Sequence, residues 1–147
     1  MEAFIPTRTP PPVLGTRILS MDAQNGLEVV DRLRHGLPAA SVERVAKHLD
    51  LSTTQMLELA DITSSTYFER KKRRQPLAPE ASERVYRIAK AVEAAEAYFD
   101  DAARARRWLA RAKVALGGRS PLEVAGTAEG AEYVVALLGR MAHGVIS

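Results

Sequence analysis

Thr54-Gln55-Met56-Leu57-Glu58-Leu59-Ala60-Asp61-Ile62-Thr63-Ser64-Ser65-Thr66-Tyr67-Phe68-Glu69-Arg70 reads as two short helices joined by a tight turn. The first helix turns Leu59 and Ala60 inward, and the small Ala60 lets a second helix cross closely. Ile62 sits in the turn as an apolar plug between the two. Ser64 or Ser65 can cap the second helix through a side-chain oxygen. Thr66, Tyr67 and Arg70 then fall in its opening turns. This is the grammar of a helix-turn-helix, whose second helix enters the DNA major groove with its first residues against base edges. Arginine can bind guanine bidentately, and serine or threonine can contact either partner.

Five consecutive cations, Arg70, Lys71, Lys72, Arg73 and Arg74, follow directly. Residues 61–90 hold eight basic and four acidic side chains, while residues 1–60 and 91–147 are near balance. The chain's net charge of +3 therefore hides a local surplus at the end of the second helix. Such a patch suits phosphate contacts, which position a protein on DNA without reading its sequence. Lys71, Arg73 and Arg74 are expected in that role, and Gln55, at the start of the preceding helix, is placed for a phosphate as well. A solvated helix end is the competing reading, because cations also favour helix C-termini.

Outward from this motif every periodic segment is helical. Toward the N-terminus, Val42, Val45, Ala46 and Leu49 mark one short amphipathic helix. Leu27, Val30 and Leu33 mark another, starting near Ser20–Asp22 and ending at Gly36. Residues 1–19, with Pro10-Pro11-Pro12, read as an extended or disordered arm. Ser52 or Thr53 caps the helix that carries Leu59-Ala60, and the next helix begins at Thr63 or Ser64. Toward the C-terminus, Pro79 opens a long helix to about Phe99 with a buried stripe of Val85, Ile88, Ala89, Val92 and Ala95. Asp100 or Asp101 caps a helix holding Trp108 and Leu109, which Gly117-Gly118 stops. Ser120-Pro121-Leu122-Glu123 is a capping box. Thr127 caps the last helix, which contains Val134, Val135, Leu137, Leu138 and Met141 and ends at Gly144. No segment has the period of a strand, so the fold class is all-α.

Composition removes several function classes. There are no cysteines, which excludes disulfides, thiol catalysis and cysteine-ligated zinc. His35, His48 and His143 share no spacing that suits a metal or a triad. Adjacent Asp100-Asp101 reads as a cap rather than a catalytic pair. Gly117-Gly118 lacks the Gly-Lys-Ser/Thr of a phosphate loop. No apolar run reaches the roughly 20 residues of a membrane helix, and no signal-peptide stretch opens the chain. A non-enzymatic cytoplasmic protein, needing no cofactor and no membrane, is expected.

A wider pattern joins these segments. Residues 51–99 resemble the Xre-type helix-turn-helix of Xre/MbcA/ParS antitoxins, with Ser82-Glu83-Arg84 matching in the long helix. Residues 108–144 resemble the toxin-binding domain of that family, through Trp108-Leu109, Leu116-Gly117-Gly118-Arg119-Ser120-Pro121-Leu122, Thr127, Gly130, Val134, Leu138-Gly139-Arg140 and His143-Gly144. Ala112 departs from the proline that relatives often carry after the Trp-Leu pair. The resemblance implies a partner: a RES-domain toxin that consumes NAD, whose active site the antitoxin's C-terminal domain covers. It also implies repression of the antitoxin's own operon through operator DNA.

The expected organisation is thus an arm at residues 1–19, an Xre-like helix-turn-helix domain at 20–99, and a toxin-binding domain at 100–147. Toxin contacts are expected from Arg119, Glu123, Arg140, Gly144, Val145, Ile146 and Ser147. The three tail residues would reach donors built for an NAD pyrophosphate, and Arg140 would pair with an acidic group on the toxin. Paired operator half-sites imply a homodimer, for which the Ala91, Ala94 and Ala95 face of the long helix offers close packing. The alternative is a stand-alone helix-turn-helix repressor with no toxin partner.

Overall fold

The structure, a computed structural model, describes residues 13–144. Among them it has eight α-helices: α1 (Gly26–His35), α2 (Ala40–Leu49), α3 (Thr53–Leu59), α4 (Ser64–Lys72), α5 (Pro79–Phe99), α6 (Ala102–Ala110), α7 (Pro121–Val124) and α8 (Ala128–Ala142). A 3₁₀ turn at Val114–Leu116 separates α6 from α7. The described residues contain no strand, only an isolated bridge between Lys113 and Arg119.

Local sequence explains most of the boundaries. Asn25, Ser52, Thr63, Asp101, Ser120 and Thr127 each accept a backbone N–H from the first turn of the helix they precede. These contacts satisfy donors that the helix itself leaves unpaired. Asn25, rather than Ser20–Asp22, therefore starts α1. Pro79 opens α5, where its missing N–H costs nothing. Thr63 caps α4, so Ser64 and Ser65 are its first helical residues and not its cap.

α5 is the axle of the molecule. Its 21 residues span about 31 Å at 1.5 Å per residue. α1 and α2 pack on it from the N-terminal half, and α6, α7 and α8 from the C-terminal half. The expected stripe of Val85, Ile88, Ala89, Val92 and Ala95 is buried, and one continuous core runs from Ile18 through Leu138. Ala91 and Ala95 are fully covered and Ala94 is half-buried. The alanine face expected to mediate self-association is instead largely covered within one protomer.

Two further expectations are corrected. On α1 the core face is Val29 and Leu33, while Leu27 and Val30 are 78% and 41% exposed. Residues 13–19 are not an extended arm but a series of turns fastened to α5. The Ile18 amide donates to Glu93 Oε2 at 3.1 Å, the Tyr86 hydroxyl donates to the Leu14 carbonyl at 3.0 Å, and Arg17 pairs with Glu96 at 2.7 Å. Ile18 and Leu19 are buried as a result. The proline run at 10–12 lies outside the described residues.

The junctions around α5 are polar and specific. Gly36 turns the chain at φ +99°, where a Cβ would overlap the Leu77 carbonyl oxygen. The Leu77 amide donates to the Leu37 carbonyl at 2.8 Å, and the Leu37 amide donates to Ser82 Oγ at 2.8 Å. Arg84 donates from Nε to the Ala60 carbonyl at 2.6 Å and from a terminal nitrogen to the Asp61 carbonyl at 3.2 Å. Ser82 and Arg84 thus bolt the α1–α2 turn and the end of α3 to α5.

Candidate nucleic-acid interface and partner-binding surface

α3 and α4 form the helix-turn-helix. Met56, Leu57, Ala60 and Ile62 are buried between them and the rest of the domain, as the apolar plug requires. Ser52 and Gln55 make a complete capping box at α3: Ser52 Oγ accepts the Gln55 amide at 3.1 Å, and Gln55 Oε1 accepts the Ser52 amide at 2.9 Å. Gln55 is exposed; its Oε1 is taken up by this cap, and its Nε2 amide is the donor left for a phosphate.

Tyr67 is the main correction in this motif. It is completely buried and is the one fully buried residue of α4, so it anchors the helix and cannot face a base. Its hydroxyl donates to Glu43 Oε1 on α2 at 2.7 Å. Burial first, and the Glu43 carboxylate second, raise the Tyr67 phenol well above its ordinary range. Lys71 pairs with the same Glu43 oxygen and lies 5.9 Å from the Tyr67 ring centroid. Periodicity alone could not separate Tyr67 from its exposed neighbours, because α4 has only one apolar position that is covered.

At about 3.6 residues per turn, the face opposite Tyr67 is Ser65, Glu69 and Lys72, with Phe68 on its flank. All four are exposed, as are Ser64 and Thr66. Phe68, absent from the sequence-based set, is 58% exposed and stands edge-on to Tyr67 with centroids 5.1 Å apart. Its spacing of four residues from Ser64 was the available signal. Arg70 is half-buried and donates to the Pro76 carbonyl at 2.7 Å, which ties down the α4–α5 loop rather than extending toward a groove. Arg73 pairs with Glu69 one turn back at 3.0 Å. Lys72 and Arg74 have no ion pair among the described residues.

Glu43 provides a pH test of the α2–α4 clasp. Lys71 first, and Tyr67 second, hold its carboxyl below the ordinary glutamate range. A depressed pKa means the clasp contributes stability above the unfolded-state value near 4.3, lost as pH falls through the folded one. Glu43→Gln is therefore expected to flatten the acid limb of stability below about pH 5. Urea melts between pH 3 and 6 would show it, and parallel acid limbs for both proteins would refute it.

In the C-terminal region Lys113 and Arg119 bridge the turn that Gly117 and Gly118 make with φ of +66° and +81°. α6 itself ends earlier, at Ala110, so the glycines stop the 3₁₀ turn and not the helix. Arg119 is exposed and donates from Nε to the Leu116 carbonyl at 3.0 Å. Glu123 is exposed, but its carboxylate accepts the Ser120 amide at 2.7 Å as the reciprocal half of the expected capping box. Arg140 is half-buried with its guanidinium 5.6 Å from the Tyr133 ring centroid, and its buried Nε has no hydrogen-bond partner. Gly144 leaves α8 at φ +73°. Val145, Ile146 and Ser147 lie outside the described residues.

These two parts, a helix-turn-helix and a small helical domain sharing α5, define the class. Residues 28–90 match the family model of the antitoxin Xre-like helix-turn-helix domain. Residues 94–144 match that of the antitoxin Xre/MbcA/ParS C-terminal toxin-binding domain. An "Antitoxin Xre" of Yersinia enterocolitica is 30% identical over 152 residues, covering 100% of both chains. An "Antitoxin Xre" of Pseudomonas putida is 29% identical over 117 residues, covering 80% of this chain and 72% of its own. One of Photorhabdus laumondii is 26% identical over 132 residues, covering 89% of each. The chain belongs to the Xre antitoxin family. No helix among the described residues is long and apolar enough to cross a membrane.

Proposed function

We propose that this antitoxin neutralises a RES-type, NAD-consuming toxin by covering its active site, and represses its own operon by binding operator DNA as a dimer. The observation that carries the DNA half is the outward face of α4. Ser65 and Lys72 stand on it, opposite the buried Tyr67, with Phe68 on its flank and Ser64 and Thr66 beside the capped N-terminus. Serine and threonine hydroxyls can serve either base partner, and Phe68 suits a thymine methyl. Arg119, Arg140 and the segment 144–147 are the proposed toxin contacts of the C-terminal domain. Glu123, exposed and with one carboxylate oxygen engaged at the Ser120 cap, is a proposed contact through its other oxygen.

Co-expression with the product of the adjacent open reading frame tests the whole reading. Growth and NAD level should be preserved when the antitoxin is present and fall when it is absent. A chain that represses its promoter but protects no cell from any adjacent gene product would leave a stand-alone repressor. For the DNA half, Lys72→Ala with Arg74→Ala is expected to weaken operator binding evenly across sequences. The slope of log K against log salt should fall by about 0.9 for each phosphate that is no longer neutralised. A gel-shift series over salt reads this directly, and an unchanged slope would remove both cations from the interface.

A further inference from the structure

Charge is also concentrated far from the recognition helix. Between residues 102 and 119 the chain carries Arg104, Arg106, Arg107, Arg111, Lys113 and Arg119 and no acidic residue. This surplus alone exceeds the net +3 of the whole chain. None of the six has an ion-pair partner among the described residues. Two rest on aromatic rings instead. Arg104 lies 5.8 Å from the centroid of Phe99, and Lys113 lies 5.1 Å from that of Trp108. Burial and the neighbouring Arg111 charge hold the Lys113 ammonium below its ordinary range. Asp101 at the start of α6 faces Arg104 and Arg107, which leaves Arg106, Arg111, Lys113 and Arg119 as cations that favour a partner bringing counter-charge.

Beside them opens a groove of about 450 Å³, lined by Tyr98, Trp108, Val114, Leu137, Met141 and Gly144. Val114, on the 3₁₀ turn, is 98% exposed, and Tyr98 is 37% exposed. A single exposed valine is ordinary. A valine beside tryptophan, tyrosine and methionine, with Lys113 in the lining and Arg111 next to Ala112 in the chain, has the make-up of an interface centre.

We propose that this groove is where the toxin docks, and that the toxin presents to it an apolar side chain flanked by acidic residues. The inference rests on the antitoxin reading above and names the surface it uses. Charge selects this occupant over the others. A second copy related by a two-fold axis would bring the same cationic surface against itself. A nucleic-acid backbone would neutralise the arginines but leave Val114 and the groove wet.

Val114→Asp and Arg111→Glu test it, since both residues are exposed and neither closes a core. The probe is the purified product of the adjacent gene, titrated by calorimetry at low and high salt. Each variant is expected to raise Kd about tenfold or more, and wild-type Kd should rise with salt. Thermal unfolding and the operator gel shift should stay unchanged. Wild-type affinity in both variants would overturn the proposal. So would loss of the operator shift with partner binding intact, which points to nucleic acid, or a fall from dimer to monomer in light scattering, which points to a second copy. If the wild-type chain binds no adjacent gene product at all, the antitoxin reading itself fails and the groove's assignment fails with it.

Discussion

Tyr67→Ala is expected to cost about 3–5 kcal/mol, as truncation of a large buried aromatic does. Tyr67 is the one fully buried residue of α4, so no other side chain of that helix can replace its anchoring. The same change strips Glu43 of the phenol that donates to it at 2.7 Å. Against a typical total stability of about 5–15 kcal/mol, the recognition helix would detach or the domain would unfold. The melting temperature should fall by roughly 10 °C or more, with operator binding abolished. Tyr67→Phe separates anchoring from base contact. It keeps the ring and removes one hydrogen bond, at about 1 kcal/mol. Operator affinity and sequence preference should survive in it. If the Tyr67→Phe protein folds normally yet binds operator about tenfold worse, a difference of roughly 1.4 kcal/mol, this position returns to the DNA interface.

Gly130→Ala is the second large effect, and it falls on the other half of the molecule. A Cβ at Gly130 would overlap the Val124 carbonyl oxygen and stand 2.8 Å from Thr127 Oγ1. Backbone cannot yield as a flexible side-chain end can, so the α7–α8 corner must open. Overpacking of this kind costs about 1–3 kcal/mol. The Thr127 cap, which accepts the Gly130 amide at 3.0 Å, adds about 1 kcal/mol if it breaks. Alanine's helix propensity offsets about 1 kcal/mol of this, so the net cost is about 1–3 kcal/mol, read as a lower urea midpoint together with weakened partner binding. Gly139→Ala is the control on the same helix. A Cβ there meets nothing within 4 Å, so alanine's helix propensity should stabilise the chain by about 1 kcal/mol. Equal behaviour of the two variants would show that the corner is not as tight as its geometry states.

Legibility in the sequence follows the range of the interaction concerned. Ser52, Ser120 and Thr127 are readable as caps because a cap and its amide lie within three residues. The helix-turn-helix is readable for a similar reason, its Ala60 and Ile62 being local requirements of a close crossing. Glu123 fits both a cap partner and a toxin contact in the sequence, and only the geometry shows where its carboxylate is engaged. Arg70 and Lys71 read as two members of a free basic run. Their partners, the Pro76 carbonyl and Glu43, become visible only once the loop and α2 are placed around α4.

The order of helices, the caps at Ser52, Ser120 and Thr127, the all-α class and the family resemblance were determined by the sequence itself, since each depends on neighbours a few residues apart or on a linear motif. Which face of each helix is covered was decided by tertiary structure. α1 carries Leu27, Val29, Val30 and Leu33, and the burial of Val29 and Leu33 alone depends on where α5 lies. Residues 13–19 have no period to read, and their position comes from Glu93, Glu96 and Tyr86, more than 70 residues along the chain. The alanines of α5 are compatible equally with a dimer seam or an internal one. Packing within the protomer covers Ala91 and Ala95, because small side chains allow close approach to whatever apolar surface the chain brings nearest.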